Sequence, residues 1–183
     1  MTSDQFSRLS HIYKAMDKTW ERTASQYGFL CEGCEDNCCK SLFFHHTFIE
    51  KAYLLHGFRP LVPGVKKEAL TLAKTYYSKT FSGGGAPASL KLMCPLNKDG
   101  KCLVYAHRPM ICRLHGLPHE LHKPGYPPFK GPGCHAGPFN KQDYIPFDRT
   151  PFYKEMALVE VQFRQRTGRK GKIKETVAQM LLF

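Results

Sequence analysis

Apolar residues recur at steps of three and four along the first 26 positions. Phe6, Leu9, Tyr13, Met16 and Trp20 form a stripe, with Arg8, Lys14, Asp17, Lys18 and Glu21 between them. That period predicts an amphipathic helix over 3–26, its aromatic stripe packed against the rest of the chain. Thr2 and Gln5 stand at capping-box spacing, and Gly28 supplies a stop. Thr47-Phe48-Ile49-Glu50 repeats the capping-box pattern and predicts a helix over 48–56 that ends at Gly57. Pro63-Gly64 opens a third helix with Val65, Ala69, Leu72 and Tyr76 on one face. It stops before the breaker Ser82-Gly83-Gly84-Gly85-Ala86-Pro87. Thr150-Pro151 sets a cap and an N1 proline at the start of a fourth, whose buried side is Phe152, Met156, Val159 and Phe163. A short apolar helix closes the sequence.

The segments between these helices are irregular. Residues 31–39 (CEGCEDNCC) read as a turn-rich loop, and Ser41-Leu42-Phe43-Phe44 suits either a short strand or the entry to a helix. Asn97-Lys98-Asp99-Gly100 has the chemistry of a tight hairpin turn, which would bring Cys94 and Cys102 close together. Arg108-Pro109 begins the turn that delivers Cys112. Between Gly116 and Pro138 stand six prolines and five glycines in 23 residues, too irregular a composition for a core helix or strand. Cys134 is the natural anchor for so long a loop. The expected fold is mainly α-helical with a few short strands and long Gly/Pro-rich loops. It forms a single domain organised around a multi-cysteine metal site: a packing helix over 1–27, a cysteine-cluster module over 28–138, and C-terminal helices with a basic segment over 139–183.

Composition narrows the functional classes. The chain has 183 residues, 42% of them hydrophobic, which is enough for a real core. No apolar run approaches the ~18 residues that span a bilayer, and the N-terminus lacks the apolar stretch of a signal peptide. A reducing, cytoplasmic setting is expected. Lys and Arg outnumber Asp and Glu by 27 to 15, a net charge of +12. That balance favours polyanions and points to Arg164–Lys174, with six basic residues, as a weak polyanion-binding stretch. The stretch lacks the interleaved aromatics of single-strand binders, so a solvated helix end is the preferred reading.

Eight cysteines are the unusual number: Cys31, Cys34, Cys38, Cys39, Cys94, Cys102, Cys112 and Cys134. Disulfides suit small secreted domains without a core. In a reduced chain of this length, metal ligation is the preferred reading. The first group, C-x2-C-x3-C-C, contains the two-residue spacing that turns two sulfurs to one point in zinc and iron–sulfur sites. Adjacent Cys38 and Cys39 would point apart in a helix or strand. Either a turn brings both to one centre, or they serve two centres, or one is buried and structural. The second group, Cys94-x7-Cys102-x9-Cys112, matches no standard zinc finger, so the thiols are expected to converge from distant segments.

C-x2-C-x3-C-C near the N-terminus, followed by C-P-L, G-K-C-x-V-Y and R-P-x-x-C-R, resembles the zinc- or iron-chelating cysteine-cluster domain family, whose module is similar in flagellin lysine N-methylases. The resemblance covers about residues 28–115. It implies chelation by Cys31, Cys34, Cys38, Cys39, Cys94, Cys102 and Cys112, with Cys134 as a further ligand. His45-His46 departs from the family, which has apolar or small residues there. All-thiolate ligation fits both metals. A 4Fe-4S cluster is favoured because it accepts ligands from separate loops; with zinc, eight sulfurs make two closed four-thiolate sites.

His115 and His135 sit near cysteines and read first as hydrogen-bonding or surface histidines. Of His45 and His46, at most one faces the cluster. Arg108 and Arg113 can either donate hydrogen bonds to sulfur or form structural ion pairs. The expected function is metal binding in a structural, metal-handling or electron-transfer role, with an unidentified protein partner. A metal-dependent protein-modifying enzyme and a zinc-stabilised nucleic-acid or ribosome adaptor are the alternatives. No GxGxxG or phosphate loop supports a stand-alone enzyme.

Overall fold

A computed structural model describes residues 2–31, 38–81, 91–141 and 143–183. Gly33 and Cys34 of the first cysteine group, and the Ser82–Pro87 breaker, lie outside the described residues. The described chain is mainly helical with a few short strands. In order, its helices are α1 (Thr2–Gln26), α2 (Phe48–Phe58), α3 (Pro63–Phe81), α4 (Met110–Leu114), α5 (Thr150–Thr167) and α6 (Val177–Leu182). Its strands are β1 (Asn97–Lys98), β2 (Lys101–Cys102), β3 (Pro118–Leu121) and β4 (Phe129–Pro132). Where one domain was expected, the chain divides into two compact units, each assembled from two separate segments. One comprises Met1–Asp36 with Met110–Arg169, the other Asn37–Pro109 with Lys170–Phe183.

In the first unit, α1 packs against α4 and α5. Its stripe does what the period predicts: Leu9, Tyr13 and Met16 are buried. Gly28 ends the helix with φ 61°, its amide bonding to the Ser25 carbonyl at 3.0 Å and Phe29 N to Ala24 O at 2.9 Å. Trp20 Nε1 donates to the His115 carbonyl at 2.9 Å, tying α1 to the residue after α4.

The Gly/Pro-rich stretch between Gly116 and Pro138 is more regular than its composition predicts. β3 and β4 pair antiparallel, from Pro118 opposite Pro132 to Leu121 opposite Phe129. The two prolines stand at strand ends, where a missing amide does little harm. Gly131 is required beside His119, whose ring lies 2.2 Å from where a β-carbon would be. α5 also begins differently. Arg149 holds the cap position without a side-chain bond, and Asp148 Oδ1 accepts the Thr150 amide at 2.8 Å. Thr150 lies inside the helix, its hydroxyl accepting from His122 N at 2.8 Å. Met156, Val159 and Phe163 are buried as expected.

In the second unit, the Thr47 hydroxyl accepts the Glu50 amide at 3.3 Å and caps α2. The helix continues through Gly57 to Phe58. Gly57 is a packing residue rather than a stop, because a β-carbon there would sit 2.4 Å from the His107 ring. The buried face of α3 is Ala69, Ala73, Tyr76 and Thr80, while Leu72 is 46% exposed. Ala73 and Tyr76 form a small core with Ala178 of α6. Small side chains let two helices approach closely, which outweighs the larger Leu72 in choosing the face. Thr176 and Gln179 complete a capping box on α6.

His45 is 2% exposed and joins the segment before α2 to the one before α6, through amide–carbonyl bonds with Glu175 of 2.7 and 3.0 Å. Its Nε2 finds no hydrogen-bond partner among the described residues. Burial first, and then the nearby His46, lowers its pKa to about 4.

Two outcomes follow. Gly57→Ala should destabilise the protein by about 1–3 kcal/mol through overpacking against His107. Gly64→Ala, with nothing within 4 Å of a new β-carbon, should stabilise it by about 0.5 kcal/mol. Denaturant midpoints check both. For His45, the unfolded chain takes its proton near the ordinary value and the folded one only near pH 4. This contribution is therefore intact above about pH 6.5 and lost as pH falls towards 4. His45→Leu should flatten that part of the stability–pH curve; an unchanged acid slope contradicts the assignment.

Candidate metal centre

Of the described cysteines, Cys31, Cys112 and Cys134 fall in the first unit, and Cys38, Cys39, Cys94 and Cys102 in the second. The described ones, all except Cys34, are thiols rather than disulfides.

The second unit draws its four from three short segments. Cys38 and Cys39 lie in a 3-10 turn, Cys38–Lys40. This turn keeps the two side chains together, the Cys38 thiol lying within hydrogen-bonding reach of the Cys39 sulfur. Cys94 N donates to the Cys39 carbonyl at 2.8 Å, and Asn97 N to the Cys94 carbonyl at 2.9 Å. From there β1 turns into β2, with Asn97 opposite Cys102. Asp99 (φ 52°) and Gly100 (φ 79°) adopt the left-handed conformations of the expected hairpin turn. Leu103 N to Leu96 O at 2.8 Å extends the pairing beyond the strands. Cys94 and Cys102 both pack against the core built from Leu54, Phe58, Leu96, Val104 and Met180.

The electrostatics of the group are uneven. The Cys39 thiol is lowered to about 6, chiefly by its hydrogen bond from Cys38; burial opposes this, while a bond from Asn97 and the charge of Arg108 reinforce it. Cys94 is raised to about 12, first by burial and then by the neighbouring Cys39 and Cys102. One thiol is thus ready to ionise, and another resists unless positive charge arrives beside it. Among the described residues, no group of three or more His, Cys, Asp or Glu side chains is placed to hold a metal ion.

The two arginines part company. Arg108 acts on Cys39 and stacks its guanidinium 3.6 Å from the Tyr105 ring centroid. Arg113 is structural: it is 5% exposed, bonds Asp17 at 2.5 Å and lies 4.1 Å from the Tyr13 ring centroid. In the first unit, Cys112 rides on α4, and Cys134 N bonds the Gly116 carbonyl at 2.8 Å, closing the base of the β3–β4 hairpin. Cys31 and His135 are exposed, as is His46. Asn97 was legible only as a turn residue. Its side-chain oxygen accepts Gly100 N at 3.2 Å, and the side chain helps to lower the Cys39 thiol, while Nδ2 itself is buried without a hydrogen-bond partner among the described residues.

The basic stretch is partly engaged. Arg164 lies 4.0 Å from Glu160, Arg166 lies 3.4 Å from Asp4, and Lys174 sits 4.6 Å from the Phe44 ring centroid. Among the described residues, no helix is long and apolar enough to cross a membrane. No family model matches the chain, and no curated protein or solved structure matches it.

At pH 7, metal-free protein should react with iodoacetamide quickly at Cys39 and hardly at all at Cys94. Peptide mass spectrometry against time reads both. The Cys39 rate should reach half its plateau near pH 6, and Asn97→Ala or Arg108→Leu should move that midpoint upward. A Cys39 rate still climbing above pH 8 contradicts the depressed thiol.

Proposed function

We propose that the chain is a metal-binding protein whose clustered cysteines hold a 4Fe-4S cluster. The observation that supports this reading is pairwise: the Cys38 thiol bonds Cys39, and Cys39 and Cys102 each raise Cys94, although these residues come from three separate segments of one unit. Soft thiolates in that number suit iron–sulfur centres and zinc above other common metals. The cation would sit where Cys94 and Cys102 meet the Leu54–Met180 core, with Asn97 and Arg108 placed to hydrogen-bond sulfur and offset its charge. When bound, a cluster supplies one-electron chemistry or a structural clamp. The protein's own residues set its charge, its exposure and the rigidity of its ligands. The resemblance to the chelating cysteine-cluster family points to the same role and adds Cys31, Cys34, Cys112 and Cys134 as ligands.

Zinc is the second reading, favoured by the number of cysteines: eight thiolates are enough to close two tetrahedral sites.

Anaerobically purified protein should be brown, with iron and acid-labile sulfide near four per cluster. Colourless protein with stoichiometric zinc and no sulfide replaces the cluster with the second reading. Cys38→Ser, Cys39→Ser, Cys94→Ser and Cys102→Ser should each lower bound metal several-fold. Full metal content in all four would remove this group as the site.

A further inference from the structure

Within the first unit, a cleft of about 300 Å³ opens beside the β3–β4 hairpin. Leu117 and Phe129 contribute to its apolar wall, and His115, His119, Arg149 and Tyr153 are its polar residues. Arg149 is the anomaly. It is only 3% exposed, yet no carboxylate pairs with it among the described residues. Its Nη2 donates to the Leu114 carbonyl and, at 3.4 Å, to that of Leu117, while Nε finds no partner. Neutral carbonyls orient a guanidinium but do not cancel its charge. Two acids on the chain beside it are committed elsewhere: Glu120, whose carbonyl accepts the Arg149 amide, bonds His122 at 2.9 Å, and Asp148 accepts the Thr150 amide.

A buried cation without a counter-charge is costly, and proteins keep one where a ligand completes the pair. Burial lowers Arg149 to about 10, so it remains a cation at neutral pH. His119 is lowered by burial and by the charge of Arg149, and so stays neutral beside it. The lining therefore offers one full positive charge and an apolar wall. That composition suits a singly charged ligand with a hydrophobic body better than a multiply charged phosphate, and the volume lies at the small end of ligand sites.

We propose that this cleft binds a small organic monocarboxylate with an apolar body, the carboxylate meeting Arg149 and the body lying against Leu117 and Phe129. This does not rest on Cys38, Cys39, Cys94 and Cys102, the thiols that support the metal reading, which belong to the other unit.

The test titrates the full-length protein, as purified, with benzoate, benzamide, acetate and inorganic phosphate, followed by calorimetry and amide NMR. Benzoate should bind saturably and shift resonances of Leu117, His119 and Arg149. Benzamide, lacking the charge, and acetate, lacking the body, should each bind at least about tenfold more weakly. Leu121→Trp, which fills the cleft and leaves Arg149 in place, should abolish binding without altering the far-UV spectrum. Arg149→Lys should retain more affinity than Arg149→Met. If the arginine variants do not fold, the ligand series and Leu121→Trp still decide. Equal binding of benzamide, phosphate binding as tight as benzoate, or unchanged affinity in Leu121→Trp each overturns the proposal.

Discussion

A backbone hydrogen bond from Cys94 N to the Cys39 carbonyl, at 2.8 Å, joins two segments of the thiol group. It fixes the double-cysteine turn against the chain leading into the β1–β2 hairpin, and hence against Cys102. Everything the group can do depends on that registration. Shift it, and Cys39 loses the influence of Asn97, and Cys94 loses its neighbouring sulfurs. The apolar core under Cys94 and Cys102 makes the registration rigid, because Leu96 and Val104, flanking the hairpin, are themselves buried in it.

Buried charge is handled in contrasting ways. Arg113 is matched by Asp17 and covered by Tyr13, so it serves as a fastening between α4 and α1. Arg149 has comparable burial, but only carbonyls and an aromatic face beside it. His45 avoids the problem by staying neutral in its apolar setting. In the second unit, the lowered Cys39 thiol brings negative charge beside buried sulfurs, whereas the cleft of the first holds a buried positive charge without a carboxylate. A thiophilic cation answers the first and a carboxylate the second. The two proposals are thus one electrostatic argument applied with opposite sign.

Much of the helical frame was legible because local rules and tertiary packing agree there. The Leu9–Tyr13–Met16 stripe, the Thr47 cap, the hairpin turn at Asp99-Gly100 and the Thr176 region each carry their signal within a few residues. Where long-range packing decided, local signals misled. Gly57 looked like a stop but makes room for His107, fifty positions along. Leu72 looked buried, but α6 chose the alanine side of α3. The Gly/Pro stretch looked unpaired, yet its prolines fall at strand ends and Gly131 makes way for His119.

The sequence alone determined the cysteine count, their spacings, the turn that returns Cys102 towards Cys94, and most helix boundaries. These are set by backbone preferences and by periodicities shorter than a dozen residues. The tertiary structure decided which thiols stand together, that Asn97 and Arg108 attend Cys39 while Arg113 does not, and that Arg149 is buried without a counter-charge. Those facts depend on burial and on contacts across 35 to 100 residues of chain. Electrostatic environment is a property of packing, and no local pattern encodes it.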